Sequence, residues 1–133
     1  MLVFSVLGWA AILIATYFIL RPFTIGTPTI DEEDVTFYFF YTTWCGWSKK
    51  AWPHWNEFKR FMETRNVTYG GNPIKLVAID AEQHPDMVKR FHVQGYPAFR
   101  LKTSEKIFEY GQKPSVEMFR AFLTRTLGYE LVE

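Results

Sequence analysis

Hydrophobic and polar positions divide the 133-residue chain into runs with different periods. The first run, MLVFSVLGWAAILIATYFIL, is apolar from Met1 to Leu20 and meets no charged side chain before Arg21. About twenty such residues match the hydrocarbon thickness of a bilayer, so residues 1–21 are predicted to form one transmembrane helix. A cleaved signal peptide would want a basic start, a shorter apolar run and a small-x-small cleavage site, and none is clear. A buried core helix would show a polar face, which this run lacks. Only Arg21 flanks one end of the run, so the side of the membrane on which the rest of the chain lies stays open. Residues 22–34 carry Pro22, Gly26, Pro28 and the acidic cluster Asp31 to Asp34 without a regular period, and read as a short linker.

From Val35 the pattern becomes that of a folded domain. Val35 to Thr42 is apolar on both faces, as a central strand covered by helices must be. Lys49 to Thr64 follows with helical spacing, Trp55, Phe58 and Met62 inward and Lys59, Arg60 and Glu63 outward, and Pro53 removes one backbone hydrogen bond within it. A Gly- and Asn-rich loop, Asn66 to Pro73, ends that element. Lys75 to Asp80 reads as a second, parallel strand, and Pro85 to Phe91 as a short helix with Met87, Val88 and Phe91 apolar. Pro97 to Thr103 and Lys106 to Tyr110 form a predicted antiparallel hairpin around Ser104 and Glu105. Ser115 is the expected N-cap of a last helix, Val116 to Leu127, with Phe119, Phe122, Leu123 and Thr126 inward and Gly128 ending it. The order is βαβα then ββα over residues 35–128, an α/β domain with a central mixed sheet flanked by helices, and residues 129–133 are left as a tail.

Composition narrows the functions. Fifteen Lys and Arg against 14 Asp and Glu give a net charge of +1. No basic stripe emerges, so nucleic acid is not an expected partner. Aromatic residues make up 19% of the chain, ample for the core of one domain. A single cysteine excludes an internal disulfide framework, and His54, His84 and His92 do not repeat a metal-ligand spacing, so no metal or bound cofactor is expected.

That cysteine lies in Thr42-Thr43-Trp44-Cys45-Gly46-Trp47-Ser48-Lys49, between the first strand and the first helix. A sulfur there faces unsatisfied backbone N–H groups and the partial positive charge of a helix N-terminus, which favour the thiolate and so a nucleophile. Trp44-Cys45-Gly46-Trp47-Ser48-Lys49 resembles the Trp-Cys-Gly-x-Cys-Lys motif of the thioredoxin superfamily, and within it of protein disulfide isomerase domains, with serine in place of the second cysteine. Pro53 matches the helix proline eight residues after the first cysteine. Val93-Gln94-Gly95-Tyr96-Pro97 is similar to the family's Val-x-Gly-Tyr-Pro segment, and Gly111-Gln112-Lys113 to the Gly-x-Lys before the last helix. The resemblance covers Val35 to Leu127, with its segments in family order. It implies a thioredoxin-like fold, here trimmed because the usual first strand and helix have almost no room, with Thr27 to Ile30 as a vestigial edge strand at most. It also implies a cis peptide at Pro97, facing Cys45.

Two departures bear on activity. A dithiol site attacks a substrate disulfide with its first cysteine and resolves the mixed disulfide with its second; Ser48 can hydrogen-bond the Cys45 thiolate but cannot displace it. The family's buried acid, six residues before the active cysteine, is replaced by Phe39. Lys113 sits where isomerases carry a basic residue, or is simply a solvated lysine at a turn. The resemblance therefore implies a monothiol: Cys45 as nucleophile, Ser48 as its hydrogen-bond partner, and an external thiol such as glutathione or the client's own cysteine as co-substrate. Trp44, Gly46, Trp47, Tyr96 and Pro97 would form the substrate-binding surface. Tyr96 and Pro97 offer backbone to an extended peptide, and Trp44 and Trp47 flank the sulfur, Trp47 at the exposed tip and Trp44 either there or packed on its own domain.

The favoured expectation is a single-pass membrane protein performing thiol-disulfide exchange or client retention on protein clients near a bilayer. The rival is a redox-inactive structural or adaptor component of a membrane-associated assembly, for example a minor capsid protein of a virus with an internal membrane, which uses the same surface to hold a fixed protein partner. Asn66-Val67-Thr68 is a glycosylation acceptor triplet that matters only if the domain faces a secretory lumen.

Overall fold

The computed structural model describes residues 34–133. The transmembrane helix expected over residues 1–21, the strand at Thr27 to Ile30 and all of the linker but Asp34 lie outside the described residues. Among the described residues no helix is long and apolar enough to cross a membrane.

The run of alternating large side chains forms β1, Thr36–Tyr41, in the middle of a four-stranded sheet. Helix α1, Gly46–Arg65, follows. Two short strands, β2 at Thr68–Tyr69 and β3 at Asn72–Pro73, precede β4, Lys75–Asp80. Then come α2, Pro85–Arg90, the hairpin of β5, Ala98–Lys102, with β6, Ile107–Tyr110, the helix α3, Val116–Leu127, and β7, Glu130–Leu131. The main sheet has the order β4-β1-β5-β6. Strand β4 is parallel to β1, with Phe39 opposite Ala78, and β5 is antiparallel to it, with Phe39 opposite Phe99. This is the mixed α/β arrangement expected of the sequence.

Side chains alternate across a strand, so β1 feeds two cores. On one face Phe37 meets Trp55, Phe58, Phe99, Tyr110, Phe119 and Phe122 with ring centroids 5.5–6.3 Å away, which joins α1 and α3 to the sheet. On the other, Tyr38 and Phe40 pack on Phe91 beyond α2, at 4.7 and 5.3 Å. Each fully buried ring of this kind stabilises the fold by about 1.5–3 kcal/mol. Burial also pushes the Tyr110 phenol up to about 12, while its hydroxyl donates to the Lys113 carbonyl at 2.7 Å.

Three segments differ from the sequence reading. Helix α1 begins at Gly46, not Lys49, because Cys45 already serves as its N-cap residue and its carbonyl accepts the Lys49 N–H at 3.1 Å. The segment read as a loop from Asn66 to Pro73 pairs β2 with β3 around Gly70 and Gly71, both at positive φ. A Cβ on Gly70 would lie 2.1 Å from the Leu127 carbonyl oxygen, so only glycine fits where this turn crosses the end of α3. Residues 129–133, read as a tail, carry β7, which pairs with β2 to complete a three-stranded sheet of order β3-β2-β7. The Glu130 carboxylate fixes that strand by accepting from Tyr69 Oη at 2.7 Å and from Arg120 Nε and Nη2 at 2.9 and 2.7 Å.

Candidate active site

Strand β1 ends at Tyr41, and the chain turns through Thr42 to Trp44 before Cys45 opens α1. Cys45 is half-buried and extended, with φ −76° and ψ 118°, as an N-cap residue requires. Across from it, the segment before β5 brings in Tyr96 and Pro97 through a cis peptide bond. The Cys45 thiol donates to the Tyr96 carbonyl oxygen at 3.6 Å, so the sulfur and the proline segment, 51 residues apart, share one site.

The surroundings of the sulfur hold its pKa below the ordinary thiol value. The Ser48 backbone N–H is the largest cause; partial burial opposes it, and the Ser48 hydroxyl, the Trp47 N–H and the Thr42 hydroxyl assist. Among the described residues the sulfur closes no capping hydrogen bond, and its thiol donates to the Tyr96 carbonyl oxygen. The first-turn N–H groups instead await the thiolate, where a helix N-terminus acts most strongly.

Ser48 is fully buried. Its Oγ accepts the Thr42 backbone N–H at 3.4 Å, which orients the hydroxyl beside the sulfur. Thr42 Oγ1 is itself buried and has no hydrogen-bond partner among the described residues, a feature the sequence reading did not single out. Gly46 is exposed at the first helical position. Phe39, where the resemblance expects an acid, lies wholly in the aromatic core, stacked on Phe99 at 4.9 Å and edge-on to Trp52 at 5.1 Å. No carboxylate stands at that place.

Trp44 and Trp47 are 65% and 69% exposed, leaving two large apolar rings in solvent beside the Cys45 thiol. Trp44 does not pack into its domain; its Nε1 donates to Glu82 Oε1 at 3.2 Å. Trp47 has the Lys50 ammonium 4.7 Å above its ring. Between Trp47 and Pro97 opens a groove of about 510 Å³ lined also by Lys50, Ala51, His54 and the segment Gly111 to Pro114. On the other side of Pro97 a second hollow of about 560 Å³ runs past His92, Tyr96 and Arg100 to Glu109. The structure thus brings Cys45, Ser48, Trp47, Tyr96 and Pro97 together and adds Lys50 and His54, whose place follows only from the facing of α1 and the loop before α3. Among the described residues no three His, Cys, Asp or Glu side chains cluster as metal ligands would.

A cysteine at the strand-to-helix turn of a mixed sheet, facing a cis-proline segment, defines a thioredoxin-type thiol domain. The family model described as Thioredoxin matches residues 28–125, and the chain belongs to that family. Its relatives are of the protein disulfide isomerase kind. It is 31% identical over 81 residues to the mouse protein disulfide-isomerase A4, covering 61% of this chain and 12% of that protein. It is 32% identical over 79 residues to the human protein disulfide-isomerase TMX3, covering 59% of this chain and 16% of the other. Among solved structures, human ERp44 form I superposes with a TM-score of 0.62 at 25% identity over 76% of this chain and 28% of that one. The chain therefore spans less than a fifth of the two curated relatives it matches here.

Proposed function

We propose that this protein carries out monothiol thiol-disulfide exchange on polypeptide clients, with Cys45 as nucleophile, close to a membrane in which residues 1–21 are anchored. The observation that carries the reading is the Cys45 sulfur at the N-terminus of α1, 3.6 Å from the Tyr96 carbonyl and with its pKa held down. The Cys45 thiolate attacks one sulfur of a client disulfide, the other leaves as a client thiolate, and a mixed disulfide joins Cys45 to the client. In a dithiol site the next residue to act would stand at position 48. Ser48 has no sulfur, so release waits for an external thiolate, from glutathione or from the client itself, to attack the mixed disulfide and restore the Cys45 thiolate. An extended client segment can pair with the Tyr96 backbone while its side chains lie against Trp47 and Trp44. Phe39 is in accord with this chemistry, since no second thiol requires deprotonation.

The anchor rests on the almost wholly apolar run from Met1 to Leu20, which has no charged side chain. The exchange step is tested by reacting the full chain with a peptide disulfide and removing free thiols. A covalent adduct should accumulate, survive for hours, and disappear on adding glutathione; Cys45→Ala should form none. Failure of the native chain to form adducts, although folded, would leave the site as a docking surface without redox chemistry.

A further inference from the structure

The two sides of Pro97 differ in charge. In the hollow that runs to β6, Arg100 is buried and satisfied: Nη2 lies 3.2 Å from Glu109 Oε1, Nη1 donates to the Phe99 carbonyl and Nε to that of Phe91. That side is neutralised from within. In the groove on the Trp47 side, Lys50, Lys113 and His54 line the walls and, among the described residues, no carboxylate does. Among the described residues neither Lys50 nor Lys113 has an acidic side chain within ion-pair distance. The exposed Lys50 ammonium lies over the exposed Trp47 ring, which sets a positive charge beside an apolar surface. Trp47, Ala51, Pro97 and Pro114 supply that apolar surface.

We infer that this groove selects acidic client segments: a polypeptide bearing Asp or Glu within a few residues of its disulfide, with the carboxylates paired to Lys50 and Lys113 and an apolar neighbour set between Trp47 and Pro97. The inference rests on the exchange reaction proposed above and names the client chemistry for it. Like charges disfavour a basic segment in the same place, so the discrimination works in both directions. Opposed charges in a cleft also raise the encounter rate of an anionic partner, by a factor of 10 or more at low salt. A basic client would still reach Cys45, only more slowly.

The test uses the full chain in a nonionic detergent and three peptides alike except for the residues flanking one cysteine, which are Glu, Gln or Lys. Each cysteine is capped as a 2-pyridyl disulfide. Attack by the Cys45 thiolate on the peptide sulfur forms the mixed disulfide and releases 2-thiopyridone, read by absorbance. The Glu peptide should react about tenfold faster than the Lys peptide at low salt, with the ratio shrinking as salt rises. Lys113→Glu should cut the ratio severalfold, and Lys50→Glu with Lys113→Glu should invert it. Arg60→Glu, about 15 Å further along α1 and making the same change in net charge, should leave the ratio as it is. A Gln peptide that releases no more thiopyridone than Cys45→Ala would overturn the exchange reaction itself, and the inference with it. A reactive Gln peptide with equal rates for Glu and Lys, or with a ratio that Arg60→Glu shifts as much as Lys113→Glu does, would overturn the charge selection alone.

Discussion

At the scale of single residues, the site depends on how position 48 meets position 45. The Ser48 backbone N–H is fixed by the helix, but its hydroxyl is an addition of this sequence, buried and oriented by the Thr42 N–H. Ser48→Ala should raise the Cys45 pKa and slow alkylation at neutral pH about two- to threefold, leaving the fold intact. A pH profile of iodoacetamide reaction, compared with that of the native chain, measures this. Cys45, Ser48, Tyr96 and Pro97 were legible in the sequence because each sits in a short motif whose residue types have a mechanical reason. The sequence leaves Trp44 open between core and surface, since a flanking tryptophan carries no sign of which way it turns. Lys50 and His54 were not legible as site residues. Their meeting with Gly111 to Pro114 is a long-range fact, and nothing local marks a surface lysine as facing a groove.

Elements long enough to show a period are legible in kind, although α1 starts three residues before the Lys49 that its pattern predicts. The strand Lys75–Asp80 and the helix Val116–Leu127 have the bounds expected, and Ser115 Oγ accepts the Met118 N–H at 3.2 Å as the N-cap should. Strands β2, β3 and β7 have two residues each, too few for an alternation to appear, and their pairing depends on Gly70 and Gly128 meeting across the end of α3. The Arg120-Glu130-Tyr69 cluster holds this second sheet. The Arg120 hydrogen bonds keep the Glu130 carboxyl below its ordinary value, against the effect of its burial. A carboxylate depressed in the folded state stabilises above its unfolded pKa of about 4.3, and that contribution disappears as pH falls through the lower folded value. Glu130→Ala should therefore cost about 1–2 kcal/mol at pH 7, tempered by the partial exposure of Arg120, and distinctly less at pH 3. Urea denaturation of both proteins at the two pH values reads the difference.

For the whole molecule, pattern and resemblance agreed on a mixed sheet with its aromatic core, and the family match over residues 28–125 accords with both. Phe37 and Phe39 of the central strand share one core cluster with Trp55, Phe58, Phe99 and Phe119. The apolar run before the domain is a separate matter of length and hydropathy. If residues 1–21 anchor the chain, the expressed protein should sediment with membranes and resist extraction at alkaline pH, and removal of those residues should release it to the soluble fraction. A native chain extracted as readily as the shortened one would remove the bilayer from the account. If residues 22–34 link such an anchor to the domain, their small number would bring clients close to the membrane surface.

The direct measure of the central claim is the ionisation of Cys45, followed as thiolate absorbance near 240 nm against pH, with Cys45→Ala subtracted as the blank. The midpoint should lie below the free-thiol value of about 8.5. A midpoint at or above that value, in a chain shown to be folded, would contradict that claim.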